Sequence, residues 1–561
     1  MKKIISILIA IITLSSCENY LDVESKGVLS EDQVTDPDAL LISAYAGLGN
    51  DHYNIPFSLW PYGNVRSDDA YKGGRDESDI TNFYLLETFT NVTTELSEVD
   101  GLWYYLYVGI SRANAALRVI NELDETDYPE KKVRQAEARF LRGHWYFMLK
   151  TLFKYVPYID ENLDVNEYEN VSNRAYTNDE LWDLIADDFQ YGVDNLPESQ
   201  SEVGRANKYA ATAYLAKTRL YQAYEQDEAN NVTGINTEKL TAVVSLCDQV
   251  IASSYGLEDD FAYNFMPGSY ENGNESIFAV QYSQDDGTEY GRLDFGDVLA
   301  TPQGVGCCDF HKPSQNLANA YKTDADGLPM FDTYNSSDLD MDANTVDPRL
   351  NHTICMPGHP YKYVTSVIYE ENWNRTPDVY GYFASAKENV PKDCDCLVQV
   401  GPFYGNSKNR IILRFADVLL WKAEALIELG RQTEALPLIN QVRERAANST
   451  NLLRMEDGSY ESNFSMSTYE DGVNCTWTQD FARTALRWER RLEFAMEGSR
   501  FFDLVRWGVA DSVINNYFDS EKSKRAYLSI AHFTKDRDEY LPIPYNQMNY
   551  AGGVYTQNNG Y

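Results

Sequence analysis

Twenty-five residues, Val133 to Pro157 (VRQAEARFLRGHWYFMLKTLFKYVP), constrain the fold more than any other part of the chain. Val133, Ala136, Phe140 and Phe147 recur at helical spacing, and Leu141, Trp145, Met148, Leu152 and Val156 form a second stripe beside them. Two adjoining stripes are wider than the apolar face of an ordinary amphipathic helix, so the spacing predicts a helix packed against several others. Lys132, Arg134, Arg139 and Arg142 keep its first half soluble. Pro157 ends it, because proline disfavours the helical region for the residue before it and lacks the donor for the preceding turn. Such a helix is either the central post of a stacked-helix protein or a core helix of some other large α domain, and periodicity leaves both open.

Further helical patterns surround it. Residues 37–50 place Leu40, Leu41, Ala44, Tyr45 and Leu48 on one face, and 102–123 pairs with them. Residues 177–195, with Thr177 as N-cap, pair with 206–225, and 237–253 continues the series. RFADVLLWKAEALIELG (414–430) and TEALPLINQVRERAA (433–447) read as an αα-hairpin, with Gly430 as the left-handed stop and Thr433 as the next N-cap. Trp421, Ala423, Ala425 and Gly430 resemble tetratricopeptide units, but the spacing between pairs is irregular, so the pairs are repeat-like and do not make a regular array. Residues 51–100 are irregular and rich in Asp, Asn, Gly and aromatics, a composition that marks a functional loop. Between about 256 and 410 helical periodicity vanishes, and β-prone runs (276–283 and 361–369) alternate with turn residues. The expected fold is mainly α: tetratricopeptide-like helix pairs form a scaffold, and a loop-rich subdomain with short strands lies on it. The expected divisions are an N-terminal scaffold at 37–255 that includes the 51–100 binding loop, a ligand-binding subdomain at 256–410, and a C-terminal helical region at 411–561.

A formal net charge of −38 excludes a nucleic-acid footprint and argues against lying flat on anionic lipid. The 42 tyrosines and 9 tryptophans suit surfaces that bind through apolar faces with polar tips, although most of them must pack the core and loops. Lys2 and Lys3 precede an apolar run, Ile4 to Leu14, that is too short to span a bilayer. Leu14-Ser15-Ser16-Cys17 then resembles the bacterial lipoprotein signal, in which the cysteine is acylated and becomes the mature N-terminus. Residues 1–16 are thus expected to be a signal peptide, Cys17 the lipidated residue, and 17–36 a tether. Glu18, Asp22 and Glu24 resemble surface-export signals of Bacteroidetes lipoproteins. Seven other cysteines remain, an odd number that leaves at least one unpaired. Cys247 lies in an apolar helical run and is expected to be a buried thiol. No spacing matches a zinc site.

Several stretches, in order, carry a wider resemblance: the start at Cys17, AEARFLRGHWYFMLKTLFKYVP (136–157), DPRL (347–350), LRFADVLLWKAEALIELG (413–430), RWERRLEFAMEGSRFFDLVRWG (487–508), LPIP (541–544) and QNNGY (557–561). The chain resembles the SusD/RagB family of outer-membrane lipoproteins from Bacteroidetes nearly end to end. One departure is Lys154-Tyr155, where the family commonly has a glycine. The resemblance implies four tetratricopeptide-like pairs and lipid anchorage on the outer membrane, facing the cell surface. It also implies a SusC-like TonB-dependent transporter as partner, with the lipoprotein as its hinged lid, and capture of oligosaccharides. TPQGVGCCDF (301–310) and DHYN (51–54) resemble fructan-handling members, which makes a fructan one candidate ligand.

A sugar site needs flat apolar faces for rings and rigid polar groups for hydroxyls. Asp51, Asp68, Asp69, Tyr71 and Arg75, among Trp60 and Tyr62, offer these types; so do Trp373, Asn374 and Arg375, Tyr380 and Tyr382, and Phe403 and Tyr404. The ligand-contacting set expected from them is Asp51, Asp68, Asp69, Tyr71, Arg75, Trp373, Arg375 and Tyr404, together with Cys307 and Cys308. Those adjacent cysteines, in a loop with Gly304 and Gly306, can close a ring that stiffens the loop and offers a flat polarisable face; pairing elsewhere, or free thiols, remains the alternative. Trp103 fits the helical core. Glu493 and Glu497, one turn apart on a helix, are expected to pair with Arg490 and Arg500. No triad, HExxH or phosphate loop is present, and Asp324-Ala325-Asp326-Gly327 lacks the closing glutamate of a calcium loop, so no metal or cofactor is expected. The functional readings are therefore a non-catalytic glycan-binding lid, a lid for peptides or glycopeptides, and a surface glycosidase.

Overall fold

The stretch around Trp145 forms a helix from Lys131 to Phe153, and every residue from Ala136 to Phe153 except Arg139 is buried. The computed structural model describes residues 35–289 and 291–561, so the signal stretch and Cys17 lie outside the described residues. The helix stops before Pro157 exerts any restriction. Lys154 closes it with φ 61°, a left-handed conformation that glycine adopts freely and lysine does not. The departure noted at this position thus puts a lysine where the backbone favours glycine. Lys154 Nζ donates to Asp227 O (2.6 Å) and Asn230 Oδ1 (2.7 Å), and Lys150 Nζ donates to Lys154 O (2.8 Å), which holds the turn in place. The C-terminal segment caps the helix: Leu541 N donates to Leu152 O (2.9 Å), and Asn558 Nδ2 donates to Phe153 O (2.8 Å). LPIP and QNNGY thus satisfy carbonyls that a helix end leaves open.

The stack comprises α1 (Pro37–Ala46), α2 (Ser97–Glu122), α3 (Lys131–Phe153), α4 (Asn178–Asn195), α5 (Lys208–Ala223), α6 (Thr237–Ile251), α7 (Phe415–Glu428), α8 (Gln432–Asn448) and α9 (Gln479–Phe494). Each helix from α1 to α8 packs on the next, and α9 packs on α7 and α8. Contact between α6 and α7 shows that the stack runs on across the whole loop-rich stretch. Thr177 caps α4 in a full capping box with Glu180, and Trp103 is buried. Gly430, at φ +74°, ends α7 as expected. Thr433 is not the next N-cap: it lies inside α8, and Arg431 precedes the helix, its guanidinium bonded to Glu434. Among the described residues no helix is long and apolar enough to cross a membrane.

Ser276–Val280 pairs antiparallel with Arg410–Arg414, so one two-stranded ladder closes the base of the excursion between α6 and α7. The 51–100 stretch has more structure than its composition suggests. It holds a π-helical turn (Pro61–Val65), a strand (Ala70–Gly73) and a helix (Thr81–Thr88). The strand pairs with Phe310–Pro313, and the helix lies between left-handed Ile80 and Phe89 with no side-chain N-cap. Both depend on distant partners, so no local signal announces them.

The charged motifs meet inside the molecule. Arg414 donates to Glu275 (2.8 Å), Glu493 (2.6 Å) and Glu497 (2.8 Å); Arg349 donates to Asp347 (2.7 Å), Glu489 (2.6 Å) and Glu493 (2.9 Å). Arg445 bonds Glu275 and Glu493, and Arg443 bonds Glu489. This corrects the expected pairing of Glu493 and Glu497 with Arg490 and Arg500. α9 ends at Phe494, so Glu497 leaves the helical face. Arg490 pairs with Asp503, and Arg500 with Asp68.

Candidate functional site

The strand pair Ala70–Gly73 and Phe310–Pro313 carries two loops to one corner of the excursion. Gly74 N donates to Asp309 O (2.8 Å), which sets Arg75 to Asp79 beside the 301–309 loop. A buried network ties that loop to 369–375. Asp309 accepts from Lys312 Nζ (2.7 Å) and from Arg375 N (2.7 Å), and Asn374 Oδ1 accepts from Lys312 Nζ (2.8 Å) and from the Tyr369 hydroxyl (2.8 Å). Burial pushes the Asp309 carboxyl upward against the pull of Lys312. The Arg375 guanidinium, about one-third exposed, reaches Asp79 Oδ2 (3.0 Å) and Cys308 O (3.4 Å). Thr376 donates to Arg75 O (2.7 Å), and Arg75 itself pairs with Asp76 (2.9 Å).

Cys307 and Cys308 are bonded to each other, and Cys394 to Cys396. Cys247 and Cys355 are buried free thiols, and Cys475 is a partly buried one. The loop with the adjacent pair is held between two aromatics. A Cβ on Gly304 would lie 1.8 Å from Trp373 Cδ2, and one on Gly306 would lie 2.3 Å from Tyr404 Cε2, so only glycine allows both rings so close. Trp373 is buried in a small core with Tyr361 and Tyr369; it backs the loop and does not face solvent. Tyr404 is half-buried on the hairpin Leu397–Val400/Phe403–Asn406, beside Phe403, which stacks on Tyr53 (5.0 Å, 27°).

Four of the expected residues do not join this corner. Asp68 is buried between Arg500 (2.8 Å) and Arg491 (3.0 Å), and Asp69 bonds Arg491 (2.9 Å). The Tyr71 hydroxyl donates to Glu521 (2.6 Å) inside the core. Asp51, also buried, accepts from Phe57 N (3.0 Å) and faces Arg410 at 3.7 Å. Each has a fixed internal partner, although Asp51 Oδ1 and Asp69 Oδ2 are buried without a hydrogen bond, and Trp60, Tyr62 and Tyr380 are buried as well. The sequence reading missed Asp79 and Asp309; Asp79 could have been found four residues beyond Arg75, in the same acidic run.

Burial raises the Asp68 carboxyl, but Arg491 and Arg500 outweigh it and hold it down to about 2, below its ordinary 3.8. A depressed folded-state value contributes stability that is present above the unfolded value and lost as pH falls through the folded one. The stability difference between the native chain and Asp68→Asn, measured by urea titration, should therefore be constant near neutrality. It should shrink by about 2 kcal/mol as pH drops from about 4 to about 2.

A family model described as "SusD family" matches residues 274–561, and one described as "Starch-binding associating with outer membrane" matches residues 19–220. SusD-like protein P38 of Formosa agariphila is 26% identical over 530 residues, which cover 91% of each chain. A SusD-like carbohydrate binding protein from Bacteroides fragilis has a TM-score of 0.71 at 23% identity, covering 93% of this chain and 98% of that one. Surface glycan-binding protein A from Bacteroides thetaiotaomicron, solved with laminarihexaose, has a TM-score of 0.65 at 20% identity, covering 93% and 99%. These two structures share the fold of the helical stack and its excursion.

Proposed function

The chain belongs to the SusD family, and from that premise we propose that it is a non-catalytic cell-surface lipoprotein that captures oligosaccharides. It hands them to a SusC-like TonB-dependent transporter, on which it acts as a lid, and Cys17 carries the anchor. The observation that carries this reading is the corner itself. The bridged Cys307–Cys308 loop, the Tyr404 ring, the Arg375 fork and the Asp79 carboxylate converge on a base made rigid by Asp309, Lys312 and Asn374. The Tyr404 face takes a sugar ring, the fork and carboxylate take neighbouring hydroxyls, and the Cys307–Cys308 pair, itself buried, stiffens the loop between them before the ligand arrives. The laminarihexaose found with a relative of the same fold supports a glycan over a peptide.

The corner binds and does not cut. Asp309 is buried between Lys312 and the Arg375 backbone, and Asp79 accepts from Arg75 N (3.0 Å) and Arg375 (3.0 Å). Cleavage would require one carboxyl free to give a proton and another free to attack or to activate water. The test has two arms. Native gels cast with levan, inulin, laminarin, starch or host glycans should retard the protein in at least one case and leave the polymer intact. Affinity capture of the protein from native outer membranes should bring down a β-barrel transporter. Preferential binding of peptides, or capture without a barrel, would overturn the corresponding half of the reading.

A further inference from the structure

A second concavity lies where the first turns of α2 meet the segment after LPIP. Tyr104 and Tyr545 stand on its walls, 57% and 52% exposed, and Asp100, Asn546 and Gln547 form its floor. The groove encloses about 410 Å³. Its floor is rigid. Asp100 accepts from Asn546 Nδ2 (2.8 Å) and Gln547 Nε2 (2.9 Å), and Tyr545 N donates to Thr94 O (2.8 Å). A carboxylate has about four acceptor positions, so Asp100 keeps capacity for two more donors.

A chain of ring contacts and sequence neighbours leads from the groove to the corner. Tyr104 lies 5.3 Å from Tyr105, Tyr105 lies 5.7 Å from His52, and Tyr53, next in the chain, stacks on Phe403 at 5.0 Å. Phe403 precedes Tyr404 in the same strand. The rings stand among polar groups and do not merge into one apolar patch, which suits a hydroxyl-bearing chain better than the apolar centre of a protein interface.

We propose that the Tyr104–Tyr545 groove is a second subsite for the same glycan chain, so that the protein selects long oligosaccharides by two contacts joined along this track. The proposal rests on the corner being a glycan site. Two weak contacts on one chain act together through effective concentration, so affinity rises with chain length once both are reached.

The test is calorimetry on the full chain with size-fractionated levan and laminarin oligosaccharides, from trisaccharide to dodecasaccharide. Tyr104→Ala/Tyr545→Ala should weaken binding of the longest oligosaccharide by about tenfold and leave the trisaccharide unchanged. Tyr404→Ala should weaken every length. Both groove rings are exposed, so folding is not at stake; Tyr104→Phe/Tyr545→Phe, which keeps the rings, should restore the length dependence. If the alanine pair alters no length while Tyr404→Ala still does, the second subsite is overturned and the corner stands. If the alanine pair abolishes capture of the transporter and alters no length, the groove belongs to a protein partner and the proposal fails. If no length binds the unaltered chain, the corner reading fails for these glycans and takes the second subsite with it.

Discussion

Glu493→Gln should cost about 3–5 kcal/mol of stability, the largest effect expected from any single isosteric change in this chain. Glu493 is fully buried and accepts from Arg349 (2.9 Å), Arg414 (2.6 Å) and Arg445. Burial raises its carboxyl, but these three guanidinium groups outweigh that and hold it well below the usual carboxylate range. An amide of the same shape leaves three buried cations with one anion fewer, and a buried charge without its partner costs far more than the pair contributes. The helices that supply these groups are joined at this point: Arg414 precedes α7, Arg445 lies on α8, and Glu493 lies on α9. The loss should therefore appear as a lower urea midpoint for the whole helical signal. Glu444→Gln, at an exposed site on α8, should move the midpoint by no more than about 0.5 kcal/mol.

Arg375→Ala combined with Tyr404→Ala should weaken glycan binding by about 100-fold with little change in stability. A hydrogen bond from a charged fork contributes about 1.5–3 kcal/mol, and an aromatic face about 0.5–1.5 kcal/mol. Both side chains are partly exposed at the corner, so their removal leaves no buried cavity. The base beneath them survives, because Asp309 also accepts from the Arg375 backbone N–H, which alanine retains. Calorimetry with the glycan that retards the protein best, beside a melting curve, separates lost contacts from lost fold.

The wide apolar surface around Trp145 was legible because two stripes at helical spacing admit only a helix with neighbours on several sides. Its end was not. The break at Lys154 is held by Asp227 and Asn230, and nothing in the local run marks them. The loop with Cys307 and Cys308 was legible for a comparable local reason: two glycines just before an adjacent cysteine pair mark a constrained turn. Asp68, Asp69 and Tyr71 misled because acids and a tyrosine in an irregular stretch look exposed, whereas Arg491, Arg500 and Glu521, more than four hundred residues away, bury them. Pairings over such separations leave no periodic trace. The arginine–glutamate partners of α7, α8 and α9 went unread for the same reason, although every member of the network except Glu275 stood in a motif already picked out.

The central claim is that this corner grips a glycan and leaves it whole. The most direct measurement is one calorimetric titration of the full chain with its retained oligosaccharide, followed by chromatography of the recovered sugar. The account predicts saturable heat that disappears in the Arg375→Ala/Tyr404→Ala variant, with the sugar recovered at its original length. Shortened products from the unaltered chain, or full heat from the variant, would contradict it.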